Sequence, residues 1–335
     1  QVPIRSVGKP SVDRLKRQMG RLLESGAAGG VYPGASACVM YRDADGQLVT
    51  VSAAGGVLCR GEAAVRETTT FDLASLTKPF VASVAARMVS RGQLDFGVRV
   101  DDVLSDARGT PLTGITLEDL LAHQSGLDAW GGLYLDVQHE PGSAAARRWI
   151  VSEAMRRDGD HNRGMVYSDL GYIVAGELLS KAAGKPLQDL VELDVLAPLG
   201  LAGRVFYAGA LPTAARHQLA HDVPPTERCD WRGRVVRAEV HDENCAALGG
   251  IAGHAGLFGD AESVARLGLE WLDVLARRSA FVTPAVRDRV FAPRPGSHRI
   301  GWDTKSDTGS AAGQRMGPRT FGHLGFTGTS VRCDP

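Results

Sequence analysis

The sequence has little of what marks several large protein classes. Lys plus Arg and Asp plus Glu are equal at 38 each, so the formal net charge is zero. Such a chain has no basic field to gather nucleic acid, and the run RGRVVR at 232–237 is an isolated exception. No apolar run reaches the length of a membrane span. The chain begins at Gln1 rather than Met and carries no signal-peptide pattern, so it reads as mature or trimmed. The five cysteines, Cys38, Cys59, Cys229, Cys245 and Cys333, are far apart and form no C-x-x-C. That odd, scattered set argues against a disulfide framework or a zinc knuckle, and leans towards reduced thiols in a cytoplasmic setting. His221–Asp222, His241–Asp242 and His254 follow no regular ligand spacing and no H-E-x-x-H occurs, so neither metal nor other cofactor is expected. The run GGIAGHAG lacks the strand and G-K-[ST] context of a phosphate loop. A missing G-x-S-x-G elbow argues against an α/β-hydrolase. Internal repeats are absent, and nothing fixes an oligomeric state.

What is present is enough apolar residue, 44% of 335, to bury a large core. Residues 11–25 read as an amphipathic helix with Leu15, Met19, Leu22 and Leu23 on its apolar side. Two strand-like runs follow around a turn at Asp43–Gly46. Helical spacing recurs after Ser75, in a short helix at 115–122, at 169–184 with a Gly stop, and again at 261–278. A further helix over LQDLVELDVLAPLGL is expected to end at Pro198. The stretches 128–165 and 205–247 are loop-rich. Strands, then many helices, then strands imply an α+β chain. The sheet-containing part covers 1–95 and 255–335, and a mostly helical insertion, 96–254, faces it across a cleft.

Within this frame, SLTK stands out. Ser75 lies at or next to the N-cap of an apolar helix containing Phe80, Val81, Val84, Ala85 and Met88. Residues three apart share a helix face, so Ser75 Oγ and Lys78 Nζ can meet. A Lys entering such a helix is costly unless something pairs or uses it. By itself the pattern also fits a capping Ser and a snorkelling Lys. Tyr167 could be a core aromatic, Ser168 or Asp169 a helix cap, and His323 structural. His123 and Ser125 read as turn-shaping residues.

Taken in order, these segments resemble the serine β-lactamase and penicillin-binding-protein superfamily, in its branch of class C-related esterases and D-alanyl-D-alanine carboxypeptidases. SLTK is similar to the family's Ser-x-x-Lys, YSD to its Tyr-x-Asn, and HLG to its Lys-Thr-Gly in a His-x-Gly variant. TLEDLLAHQSGL and ALGGIAGHAGLFGDAESVARL resemble further family segments. The resemblance implies a β-lactamase/transpeptidase-like antiparallel sheet flanked by helices. It implies Ser75 as nucleophile, with Lys78 and Tyr167 handling its proton, the division between them left open. Backbone N–H groups of Ser75 and Phe326 would form the oxyanion site, Gly325 would allow close approach, and Asp169 and His323 would line the cleft.

Two departures bear on function. Asp169 replaces the common Asn, and a carboxylate beside Lys78 favours the ammonium unless it points away. His323 replaces the common Lys and removes a fixed charge that would receive a substrate carboxylate. An esterase or D-amino-acid carboxypeptidase acting on a small-molecule or peptide substrate is therefore expected ahead of a true β-lactamase. A weakly catalytic penicillin-binding or sensor module is the alternative from another class. In the family, the strand carrying the third motif is followed by two strands and a helix that link it to the N-terminal hairpin. The sequence ends at Pro335. Those strands are expected from sequence beyond it or from another chain, without which the HLG strand would be unpaired.

Overall fold

The computed structural model describes residues 11–157, 159 and 164–335. Helix α1 (Val12–Ala28) is capped by Ser11, whose side chain accepts the Arg14 N–H. Strands β1 (Gly34–Arg42) and β2 (Leu48–Gly56) form the expected hairpin, paired from Gly34 opposite Gly56 to Arg42 opposite Leu48. Strand β3 (Phe71–Asp72) runs through a 3₁₀ turn at Ala74–Leu76 into α2 (Thr77–Ser90). Five helices follow: α3 (Val100–Val103), α4 (Leu117–Leu121), α5 (Leu133–Asp136), α6 (Ala144–Arg156) and α7 (Asp169–Ala183). Next come α8 (Leu187–Val191), α9 (Ala197–Leu199), β4 (Phe206–Tyr207), α10 (Thr213–Leu219), β5 (Arg228–Cys229), β6 (Arg234–Val235) and α11 (Glu243–Ala247). The C-terminal part holds β7 (Leu257–Gly259), α12 (Ala261–Leu275), α13 (Pro284–Val290), β8 (Asp303–Thr304), β9 (Phe321–Leu324) and β10 (Ser330–Cys333).

The core is centred on α2. Phe80, Val81, Val84 and Ala85 are fully buried, so this helix is apolar all round and surrounded by protein. Ser83 joins it to α12: its hydroxyl donates to the Pro79 carbonyl (2.7 Å) and accepts from Trp271 Nε1 (2.9 Å). Helix α12 packs on both β1 and β10, while α1 covers β2. Arg42 at the end of β1 clamps Asp273 of α12, with Nε 2.9 Å from Oδ1. All five cysteines are unpaired thiols.

Two expectations need correction. The helix over 187–201 does not end at Pro198. It widens into a π turn at Glu192–Leu196, continues through α9, and stops at Gly200, whose φ is +69°. Proline lacks an N–H and crowds the carbonyl four residues back, here Asp194. The widened turn containing Asp194 accommodates both effects. The expected antiparallel pairing is present, among the described residues in four small sheets: β1–β2, β10–β9–β8, β3–β7–β4 and β5–β6. Lastly, the HLG strand is not left unpaired, because β9 has β10 on one side and β8 on the other. Among the described residues, β1 and β10 do not hydrogen-bond to each other. Both instead line a groove of about 2000 Å³ floored in part by α12.

Candidate active site

The Ser75 turn is held in an unusual backbone state. Ala74 has φ +46°, a region most side chains avoid, so the surroundings must impose it. Asp72 Oδ1 accepts the Ala74 N–H at 2.8 Å and Asp72 Oδ2 accepts the His241 N–H at 2.6 Å. Thr327 donates to the Asp72 carbonyl (2.7 Å) and Thr329 to the Leu73 carbonyl (3.1 Å). These two hydroxyls staple the β9–β10 turn to the segment that carries the serine. Gly325 lies in that turn, where a Cβ would overlap Thr329 Oγ1 and sit 2.7 Å from the Leu73 carbonyl. Close approach of the two backbones therefore requires glycine at this position.

Lys78 enters the fully buried side of α2 and donates to three acceptors. They are Ser75 Oγ at 2.8 Å, Asp169 Oδ1 at 2.6 Å and the His254 carbonyl at 3.4 Å. Burial pulls the Lys78 pKa down, but the charges and hydrogen bonding of Asp169 and Tyr167 outweigh it and hold the group above its ordinary value. Lys78 is thus an ammonium at neutral pH. Of the two orientations open to Asp169, the structure has the salt bridge.

Tyr167 presents its ring to that ammonium, 4.7 Å from Nζ to the centroid. It is half-buried rather than a core aromatic. Ser168 caps α7, accepting the Gly171 N–H at 3.1 Å, so Asp169 begins the helix. His123 adopts φ +59° and is the turn residue expected. It does more than shape a turn: Nδ1 accepts the Ser168 N–H (2.9 Å), and its ring lies 4.5 Å from that of Tyr167. His323 is buried, with Nδ1 2.8 Å from the Leu324 carbonyl and its ring 5.9 Å from Tyr167. Burial, then the Lys78 charge, push its pKa down to about 3, so it is neutral at working pH. Phe326 projects outward, 82% exposed, with its ring 5.4 Å from His241.

His298 carries no sequence signal, and His254 and Asp242 stand out in the sequence only as metal candidates. His298, from a loop before β8, faces His123 at 4.8 Å and Tyr167 at 5.4 Å. Burial lowers its pKa even though Asp303 opposes the shift. Beneath Lys78, His254 Nε2 pairs with Asp242 Oδ1 at 2.8 Å. The Asp242 pKa falls to about 2: burial raises it, but the charge and hydrogen bond of His254 prevail. Gly253 permits this layer, since a Cβ there would overlap the Tyr172 carbonyl of α7. His241 pairs with Glu227 at 2.8 Å and Asp222 with Arg66 at 2.8 Å. The sequence pairs His241–Asp242 and His221–Asp222 thus use separate partners in the fold. Of the residues expected to form a site, Ser75, Lys78, Tyr167, Asp169 and His323 converge, and Gly325 brings the Phe326 turn against the same segment.

A half-buried Ser75 and a fully buried Lys78 thus face Tyr167 and Asp169 at a helix start and the strand carrying His323. The family model described as Beta-lactamase matches residues 19–335, and the chain belongs to that family of serine hydrolases. A curated relative, N-acetylmuramyl-L-alanine amidase of Bacillus subtilis (strain 168), is 29% identical over 355 aligned positions, covering 95% of this chain and 78% of the relative. Among solved structures, EstCE1, a hydrolase with promiscuous acyltransferase activity, superposes with TM-score 0.71 at 19% identity, covering 96% of this chain and 91% of its own. A β-lactamase/D-alanine carboxypeptidase from Pseudomonas syringae gives TM-score 0.64 at 17% identity, covering 89% and 76%.

Proposed function

We propose that the chain hydrolyses ester or amide bonds through an acyl-enzyme on Ser75, with Tyr167 as the base and Lys78 as a fixed ammonium. The observation that carries this reading is the set of three acceptors around Lys78 Nζ. An ammonium so engaged has no lone pair with which to take the serine proton. Tyr167, whose ring centroid lies 4.7 Å from Nζ, is the neighbouring group left to take it.

The steps balance as follows. The Ser75 O–H proton passes to the Tyr167 phenolate as Oγ attacks the carbonyl carbon. The carbonyl electron pair moves to oxygen, where the N–H groups of Ser75 and Phe326 receive it. Collapse expels the leaving oxygen or nitrogen, which takes the proton from Tyr167. Water then attacks the acyl carbon, gives its proton to Tyr167, and Ser75 leaves with that proton. His123 positions the Tyr167 segment through Ser168. The sheet-containing part, 1–95 and 255–335, supplies Ser75, Lys78 and the HLG turn, and the helical part, 96–254, supplies Tyr167 and Asp169. The amidase relative and the similarly folded hydrolase with acyltransferase activity and β-lactamase/carboxypeptidase support an ester, amide or peptide bond as substrate.

A fluorophosphonate probe followed by peptide mapping tests the reading. The adduct is expected on Ser75 and absent from Ser75→Ala. Tyr167→Phe keeps the ring and is expected to lower the labelling rate by about 10²–10⁴-fold. An adduct elsewhere, or a Tyr167→Phe variant at full rate, overturns it. A single stoichiometric burst with no steady state on an ester would identify an acylating sensor instead.

A further inference from the structure

The rim of the site carries an aromatic arc that the acyl-transfer chemistry does not use. Its contacts are continuous. The exposed Phe326 ring lies 5.4 Å from His241. The His241 carbonyl accepts from Arg232 at 3.2 Å, and the Arg232 guanidinium sits 5.5 Å from the Trp231 centroid. Trp231 packs 5.1 Å from Tyr134, and Tyr134 lies 6.4 Å from Trp130. Trp130 is 49% exposed and Trp231 36%. Both ends of the arc adjoin the site through the backbone. Phe326 contributes the proposed oxyanion N–H, and Ala129, next to Trp130, accepts the Asp169 N–H at 2.8 Å.

The arc is braced rather than loose. Asn244 Nδ2 donates to the Gly131 carbonyl (2.7 Å), and its Oδ1 accepts the Tyr134 N–H (3.0 Å). Surface aromatics fixed in this way offer flat apolar area at low entropic cost. The cations beside them are engaged: Lys78 by Asp169, Arg232 by the carbonyls of His241 and Asp242, and Arg157, against Gly131, by Asp136 at 3.6 Å. His323 and His298 are held neutral by burial. The acidic groups Glu243 and Asp242 add their charge near Tyr134. A substrate carboxylate would find no partner among these groups and two charges of its own sign.

Resting on the serine-hydrolase reading, we infer that this arc is a subsite for an uncharged aryl group, so that the substrates are neutral aryl-bearing esters or amides. Peptides ending in a free carboxylate are disfavoured.

The test uses ethyl acetate, ethyl octanoate, ethyl 4-phenylbutanoate, benzyl acetate and a peptide ending in D-Ala-D-Ala, with acid release followed by pH-stat and D-Ala release by assay. At least one aryl ester is expected to exceed both ethyl acetate and ethyl octanoate in kcat/KM by tenfold or more. The peptide is expected to be the poorest substrate. Trp130→Ala and Trp231→Ala are expected to reduce the aryl-to-acetate ratio at least fivefold. Equal rates for aryl and acetyl esters, octanoate equal to the aryl esters, a preference for the peptide, or unchanged ratios in both variants overturns the subsite. Fluorophosphonate labelling run in parallel separates the two readings. Labelled Ser75 without aryl preference removes the subsite alone, whereas an unlabelled Ser75 removes both.

Discussion

At the scale of single residues, Asp169 decides what Lys78 can do. A carboxylate 2.6 Å from Nζ keeps the amine protonated despite complete burial. Replacing it by Asn would remove the charge that offsets desolvation, so the Lys78 pKa should fall. The Asp169→Asn variant is therefore expected to lose activity at lower pH than the wild type, seen as a downward shift of the alkaline limb of kcat/KM. An unshifted limb would mean that the Lys78 charge is not needed. Ser75 and Lys78 were legible in the sequence because their partnership is local, three positions apart across the 3₁₀ turn that opens α2. The Lys78 charge state was not, because the competing terms come from a residue 91 positions away.

At the scale of elements, the β9–β10 turn and the β3–α2 junction behave as one unit. Thr327 and Thr329 bind the carbonyls of Asp72 and Leu73, and Gly325 removes the side chain that would separate them. Gly325→Ala should displace the Phe326 N–H from the serine. A shift of about 1 Å in an acyl-transfer site costs on the order of 100-fold in rate. The expected result is a loss of that size in kcat/KM on any ester, with substrate selectivity retained. Full activity would sink the proposed oxyanion role of Phe326. The elements themselves were largely readable from periodicity, including α1, the β1–β2 hairpin, α7 and α12. Pro198 misled because proline's local rule was offset by a π turn that no pattern in the sequence announces.

At the scale of the whole molecule, burying several titratable groups together links stability to pH. Burial is the chief reason the Asp72 pKa rises to about 6. The folded state then binds more protons than the unfolded chain from about pH 4 to 6. Asp72 thus loses stabilisation as pH rises through that window, about 3 kcal/mol at 1.36 kcal/mol per unit. His323 has the opposite sign. Its pKa is depressed to about 3, so its stabilisation is lost as pH falls from the unfolded value near 6.5. Asp72→Asn removes the first term and leaves the second. The Tm difference, variant minus wild type, is therefore expected to rise between pH 4 and pH 6.5. Parallel melting curves would show that Asp72 is ionised throughout.

The sequence by itself determined the local partnerships and the order of the segments: the Ser-x-x-Lys spacing, a capped helix start at Ser168 or Asp169, the hairpin and the apolar helices. These depend on residues a few positions apart, whose geometry the backbone period dictates. Only the tertiary structure decided that Asp169 salt-bridges Lys78 and that His123 and His298 enclose Tyr167. It likewise placed Asp72 and two threonines around the Ser75 turn, and joined Trp130, Tyr134, Trp231 and Phe326 into one rim. Those contacts join side chains from distant segments, and their energies depend on burial and on distances of a few ångströms, which exist only after the chain has folded.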